Sequence, residues 1–133
     1  MTKIRDGIYG LCVADALGVP AECRTREDLK QHPITGMSDG GIRGQGTGFW
    51  SDDSSMTLCL AKSIAQVGYL HPHDIMERFR QWSEKSAYTP GGICFAFGHT
   101  SATAIHRAQR AVTPALCARK TRDDTGNGPP HRH

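Results

Sequence analysis

Two adjacent aspartates, with a serine on each side, stand where a glycine-rich loop meets an apolar periodic run: Gly46-Thr47-Gly48-Phe49-Trp50-Ser51-Asp52-Asp53-Ser54-Ser55-Met56. Serine and aspartate are ordinary helix caps, and acidic side chains offset the positive N-terminal end of a helix. Hard oxygen ligands at this density also suit a magnesium or manganese ion. The segment therefore predicts a helix that starts around Asp52, and it leaves open both an ordinary cap and a metal site.

Apolar residues at helical spacing continue from this start. Met56, Leu60 and Ile64 recur every four residues and predict one buried stripe on the helix. Three more helices are predicted, covering about residues 2–17, residues 73–85 and the residues from about 100 onward. Residues 36–48 are rich in glycine and predict a loop, and no alternating run is long enough to predict a strand. The predicted fold class is an all-α helical bundle.

The length of 133 residues fits one small domain. Charge is unevenly placed, because residues 1–106 hold 10 Lys or Arg against 11 Asp or Glu, whereas residues 107–133 hold 6 against 2. A basic end could touch nucleic acid or phosphate, but its prolines and glycines favour a solvated tail. We therefore expect a helical domain over residues 1–113, a poorly ordered polar basic tail over residues 114–133, and no nucleic-acid partner.

Residue types that bind transition metals show no zinc pattern. The five cysteines are an odd number without a C-x-x-C pair, which predicts neither a disulfide framework nor a zinc site. His71 and His73 flank Pro72, where a turn with a helix cap is the favoured interpretation. No signal peptide is visible, and no apolar run approaches membrane-spanning length. A cytoplasmic protein without a membrane partner is expected.

A second informative segment covers residues 7–22, where small residues line one helix face and the helix ends at Gly18 and Pro20, just before Glu22. This segment resembles the first helix of the ADP-ribosylglycohydrolase family, which typically reads G-x-x-x-G-D-A-L-G-x-P-x-E. A later helix in that family opens with W-T-D-D-T-x-M, to which residues 50–56 are similar. Here Ala14 replaces the usual glycine, and Ser51 and Ser54 replace threonines.

Two further segments continue the resemblance in the same order. Residues 89–105 look like the family's aromatic-glycine-threonine segment leading into the next helix, and residues 125–128 are similar to the start of its S-x-G-N-G loop. The resemblance thus spans nearly the whole chain and implies the N-terminal part of the family's all-α fold. A later D-x-D-T helix start, which supplies the remaining metal ligands in the family, has no counterpart here. The chain is therefore interpreted as an N-terminal fragment.

The resemblance also implies a site. Its metal ligands would be Ser51, Asp52 and Asp53, with two ions, Mg2+ or Mn2+, in the complete family site. The catalytic residues would be Glu22 and Asp53. The implied substrate-binding residues lie in the two later segments: Gly98, His99, Thr100, Gly126, Asn127 and Gly128. The implied substrate is an ADP-ribosylated protein or a small ADP-ribose conjugate.

Three functional interpretations follow. The first is metal-dependent hydrolysis of an ADP-ribose glycosidic bond, a reaction that builds oxocarbenium-like charge on the ribose. The second is a truncated, catalytically silent family member that retains metal or ADP-ribose binding. The third is a small helical partner-binding protein. The basic tail and the amphipathic helices are the features that favour it.

Overall fold

Helices account for the regular structure of the computed structural model, which describes residues 3–41, 44–95, 97–110 and 113–117. The α-helices are α1 (Lys3–Gly18), α2 (Arg26–Gln31), α3 (Asp52–Val67), α4 (Pro72–Lys85), α5 (His99–Gln109) and α6 (Pro114–Cys117). Two short 3-10 turns lie at Val19–Ala21 and Pro90–Gly92. Within these ranges no strand forms, and a single bridge joins Gly40 to Gln45 inside the glycine-rich loop. The predicted all-α fold class is confirmed.

The core of the bundle lies between α3, α4 and α5. α3 packs on α1 and α4, and α4 packs in turn on α5 and α6. The centre of the core is formed by Cys59, Trp82 and Ile105, and Trp82 is fully buried. Because Trp82 buries a large aromatic surface at this junction, it contributes more to the core than any smaller side chain there.

The connection between α3 and α4 follows the local sequence. α3 ends at Gly68, which adopts the left-handed conformation (φ 86°) that glycine takes at little cost. α4 then begins with Pro72 in its first turn, and the backbone N–H of Asp74 donates to His71 Nδ1 at 3.1 Å. The predicted turn and cap around His71 are confirmed, as is the helix that follows them.

The prediction of a buried stripe on α3 was wrong for two of its three residues. Leu60 and Ile64 are 36% and 42% exposed, while Met56 packs against the core. The face of α3 that is buried instead carries serines and one cysteine: Ser54, Ser55, Cys59 and Ser63. Apolar spacing predicted the helical period but not the face of α3 that meets α4, because that face depends on how the helices pack.

Two short helices were not predicted. α2 begins after Thr25, whose hydroxyl accepts from the backbone N–H of Asp28 at 3.1 Å. α6 occupies the first four residues of the predicted basic tail, and it packs on α4 and α5 with Cys117 buried. The rest of that tail, from residue 118, lies outside the described residues. Within the described ranges, none of the helices combines the length and apolarity needed to cross a membrane.

Candidate active site

The start of α3 is fastened to α1 by one carboxylate. Asp15 Oδ1 accepts from the Ser51 hydroxyl at 2.7 Å, and its Oδ2 accepts from the Ser51 backbone N–H at 3.0 Å. The same Oδ2 accepts from the Ser54 backbone N–H at 3.0 Å and from the Ser54 hydroxyl at 2.6 Å. Backbone N–H groups at a helix start have no partner within the helix, so Asp15 caps α3 from another helix.

The serines around this cap are buried and bonded. Ser51 and Ser55 are almost fully buried, and the Ser55 hydroxyl donates to the Ser51 carbonyl at 3.0 Å. The Ser51 hydroxyl also accepts a long bond of 3.4 Å from the backbone N–H of Asp53. The capping interpretation of Ser51 is therefore confirmed in part. Its oxygen accepts from the backbone N–H of Asp53 in α3, while its hydroxyl donates to Asp15.

A tight turn brings Glu22 to this helix start. The turn over residues 21–24 closes with a bond of 3.2 Å from the Arg24 backbone N–H to the Ala21 carbonyl. Glu22 has the angles of the first central position of a type II turn, and Cys23 follows with φ 60°. The Glu22 Oε2 atom is buried and has no hydrogen-bond partner among the described residues. A buried acceptor without a donor lowers the stability of the fold, so a bound ligand that pairs with this oxygen would be favoured.

The electrostatics of Glu22 identify its neighbours. Burial raises the pKa of the Glu22 carboxyl above its ordinary value, and the negative charges of Asp15, Asp52 and Asp53 raise this pKa further. Glu22 therefore lies within electrostatic reach of the aspartate pair. Arg24, two residues along the chain, directs its guanidinium to Asp28 and the His32 carbonyl instead.

The two aspartates differ in their surroundings. Asp52 is half-buried, and burial followed by the charge of Asp53 raises its pKa to about 6. Asp53 is exposed. Neighbouring positions on a helix point about 100° apart around its axis, so the two carboxylates present different directions to a ligand.

This cluster of Glu22, Asp52 and Asp53, hereafter the acidic cluster, fits a divalent cation in its chemistry. Its donors are oxygens only, they carry negative charge, and one of them is a buried acceptor without a partner among the described residues. Among the described residues, however, no three His, Cys, Asp or Glu side chains converge closely enough to enclose an ion. The donor types suit Mg2+ or Mn2+.

The loop before α3 is packed by aromatic side chains. Phe49 lies against Gly91, where a Cβ atom would come within 2.6 Å of the Phe49 ring. The Trp50 indole N–H donates to the Tyr88 carbonyl at 3.2 Å. These contacts tie the loop that leads into the acidic cluster to the loop after α4.

The predicted substrate-binding residues fall into two groups. Gly98, His99 and Thr100 lie at the start of α5, which packs on α4 and α6, and the preceding Phe97 stacks edge-on against Trp82 with ring centres 4.9 Å apart. The acidic cluster belongs to other elements, so a substrate role for this group stays a prediction. The second group, Gly126, Asn127 and Gly128, lies outside the described residues.

Asp15 is the site residue that sequence reasoning missed. It coincides with the aspartate of the family's first-helix motif, but no role in the site was predicted for it. A carboxylate is a costly residue on a helix face that packs against another helix, unless donors meet it there. A carboxylate among small residues was therefore the available signal for a polar contact. Its partners, Ser51 and Ser54, lie 36 and 39 positions away, and residue spacing does not predict contacts over that distance.

The fold and the site together define an all-α protein with carboxylates gathered at the start of one helix. The sequence matches the model of the ADP-ribosylglycohydrolase family over residues 1–132, and the chain belongs to that family.

Curated relatives agree with this assignment. The chain is 31% identical over 107 residues to the ADP-ribosylarginine hydrolase Tri1 of Serratia proteamaculans, covering 80% of this chain and 28% of the relative. It is 36% identical over 87 residues to the ADP-ribosyl-[dinitrogen reductase] glycohydrolase of Rhodospirillum rubrum, covering 64% of this chain and 30% of the relative. The chain thus spans less than a third of the length of these relatives.

Proposed function

We propose that the chain acts in the metal-dependent hydrolysis of an ADP-ribosyl glycosidic bond and provides the acidic cluster for that reaction. The observation that carries this proposal is the buried Glu22 Oε2 atom, which has no donor among the described residues and lies within electrostatic reach of Asp52 and Asp53. The names of the relatives support an ADP-ribosylated protein as the substrate. A small ADP-ribose conjugate presents the same bond and is included in the proposal.

The residue types suit this chemistry. Ser51, Asp52 and Asp53 would hold Mg2+ or Mn2+, which when bound supplies positive charge to orient ribose hydroxyls and a water. Glu22, whose pKa is raised by burial, is a stronger base than an ordinary carboxylate and would take a proton from that water or from a ribose hydroxyl. Asp53, exposed beside Glu22, would face the substrate.

A second candidate function is a catalytically silent family member that binds a cation or ADP-ribose without cleaving the bond. The observation in its favour is that the described carboxylates do not by themselves enclose an ion. A loosely held cation would stabilise the developing positive charge on the ribose poorly, because electrostatic catalysis depends on groups fixed in advance. Slow turnover by the chain alone is therefore the expected result.

Cation binding is tested by titrating Mn2+ and Mg2+ calorimetrically into the wild type, Asp52→Asn and Asp53→Asn. Each variant should bind at least about tenfold more loosely, since even residues behind a metal ligand commonly contribute that much. Asp6→Asn is the matched control, because Asp6 also lies in the first turn of a 16-residue helix. Circular dichroism checks the fold. Equal binding in all four proteins would leave Asp52 and Asp53 as capping residues only, since an amide still serves a helix start.

Turnover is tested separately with ADP-ribosyl-arginine and ADP-ribosyl-serine substrates in the presence of Mn2+. Release of ADP-ribose that depends on the cation, and that Asp53→Asn abolishes, supports the hydrolase. Cation or ADP-ribose binding without release supports the silent family member. If the chain neither binds the cation or ADP-ribose nor releases ADP-ribose, both candidate functions are contradicted.

A further inference from the structure

The orientation of the Ser51 hydroxyl is set by its hydrogen bond to Asp15. A hydroxyl carries one proton and two lone pairs, and it binds a cation only through a lone pair. The Ser51 proton is directed to Asp15 Oδ1 across 2.7 Å, a short, charge-assisted bond. One lone pair meets the backbone N–H of Asp53 at 3.4 Å. The second lone pair is therefore turned away from Asp15.

Asp15 itself has little capacity left for a cation. A carboxylate has about four lone-pair positions. In the structure Oδ2 accepts three hydrogen bonds and Oδ1 accepts one, all from Ser51 and Ser54. Both serines are almost fully buried, so water does not compete for these bonds.

From this geometry we propose that Asp15 is a positioning residue for cation binding: it accepts the hydrogen bond of the Ser51 hydroxyl, so that a lone pair of the serine oxygen remains available to a cation. The inference rests on the proposed function, because it concerns how the acidic cluster receives its cation. Asp15 acts through Ser51 and is not a ligand. Ser54 shares the carboxylate but belongs to the cap alone.

Asp15→Asn tests this role. The asparagine amide places an N–H donor where a carboxylate oxygen stood. The Ser51 hydroxyl must then turn a lone pair toward this donor, and that lone pair is no longer available to a cation. We expect the Mn2+ affinity measured by calorimetry to fall about tenfold, the usual lower size of such effects behind a metal ligand. Loss of a negative charge would also weaken cation binding, and a second background separates the two causes.

That background is Ser51→Ala, which removes the hydroxyl. If Asp15 works through Ser51, adding Asp15→Asn to Ser51→Ala should change the Mn2+ affinity by less than about twofold, because two residues in one hydrogen-bond network are not additive. A loss of the same size in both backgrounds would show a simple charge effect and overturn the positioning role. Asp15→Glu keeps the charge and moves the carboxylate by one methylene, and it replaces Asp15→Asn in the same cycle should that variant not fold.

Ser54→Ala is the matched control. It removes one hydrogen bond to Asp15 and leaves the Ser51 hydroxyl in place, so the thermal midpoint should fall while Mn2+ affinity stays within about twofold. A wild type that binds no Mn2+ would overturn both the proposed function and this inference. If Asp15→Asn binds Mn2+ as tightly as the wild type does, only the inference about Asp15 is overturned, and the proposed function stands.

Discussion

The ionisation of Asp52 links the acidic cluster to stability. Burial and the charge of Asp53 raise the pKa of Asp52 from its ordinary 3.8 to about 6. The folded state therefore binds this proton more tightly than the unfolded state does. The stability that Asp52 contributes is fully present below about pH 4 and is lost as pH rises through about 6. The fold carries this cost at neutral pH when no cation is bound.

Asp52→Asn should remove that cost. At pH 7 and without divalent cations, we expect the variant to be more stable than the wild type by about 1 kcal/mol, a value discounted for partial exposure. The difference should shrink toward zero near pH 4. Urea unfolding followed by circular dichroism at both pH values measures it. A constant difference at both pH values would show that the Asp52 charge does not cause it, and Asp6→Asn controls for general charge.

At the scale of elements, the 3-10 turn Pro90–Gly92 fits closely against the loop before α3. Gly91 and Gly92 both have positive φ, 70° and 72°, which disfavours alanine at either position. Only Gly91 has a neighbour in reach, because its added Cβ would come within 2.6 Å of Phe49. The two glycines are therefore a matched pair.

Gly91→Ala should destabilise the fold by about 2–4 kcal/mol, combining backbone strain with overpacking. Gly92→Ala should cost only the backbone strain, about 1 kcal/mol. Thermal unfolding of the two variants under identical conditions gives the comparison. Equal losses would mean that Phe49 moves aside freely and that the loop does not hold the start of α3.

Prediction from sequence succeeded where the signal was local. Asp52 follows a serine cap, and Pro72 lies in the first turn of α4, so both helix starts were correctly expected. α2 was missed although it too had a local signal, because Thr25 and Asp28 form an ordinary capping pair. Leu60 was misplaced because a four-residue repeat gives a helical period without naming the neighbour that covers it.

Predictions about the site divide in the same way. The pairing of Asp52 with Asp53 was visible in the sequence, and their proximity to Glu22 came from the family resemblance. Asp15 was missed because its role depends on where α1 packs on α3. Burial of Glu22 likewise depends on the fold, so its raised pKa could not be read from the sequence.

At the scale of the whole molecule, a broad apolar surface lies between α1 and α3. A groove of about 820 Å³ is lined mainly by apolar side chains, including Ile4, Tyr9, Leu60 and Ile64. Ile4 is 77% exposed, and further apolar residues of α1 are exposed beyond the groove. Apolar patches of this extent on a small protein promote association.

We expect the chain to self-associate as its concentration rises. Ile64→Lys, placed in the groove, should shift light scattering toward the monomer, because a charged side chain would have to be buried in any contact there. Leu70→Lys is the control, since Leu70 is exposed between α3 and α4 and does not line the groove. Equal effects of both changes would point to general charge repulsion instead of this surface.

The cap that Asp15 places on α3 has a consequence for the order of folding. Its hydrogen bonds to Ser51 and Ser54 join residues 36 and 39 positions apart, so they form only after a long loop has closed. The first turn of α3 should therefore stay frayed until α1 arrives. Hydrogen exchange at the Ser54 amide would then report the docking of α1, and the acidic cluster would assemble only once α1 has docked.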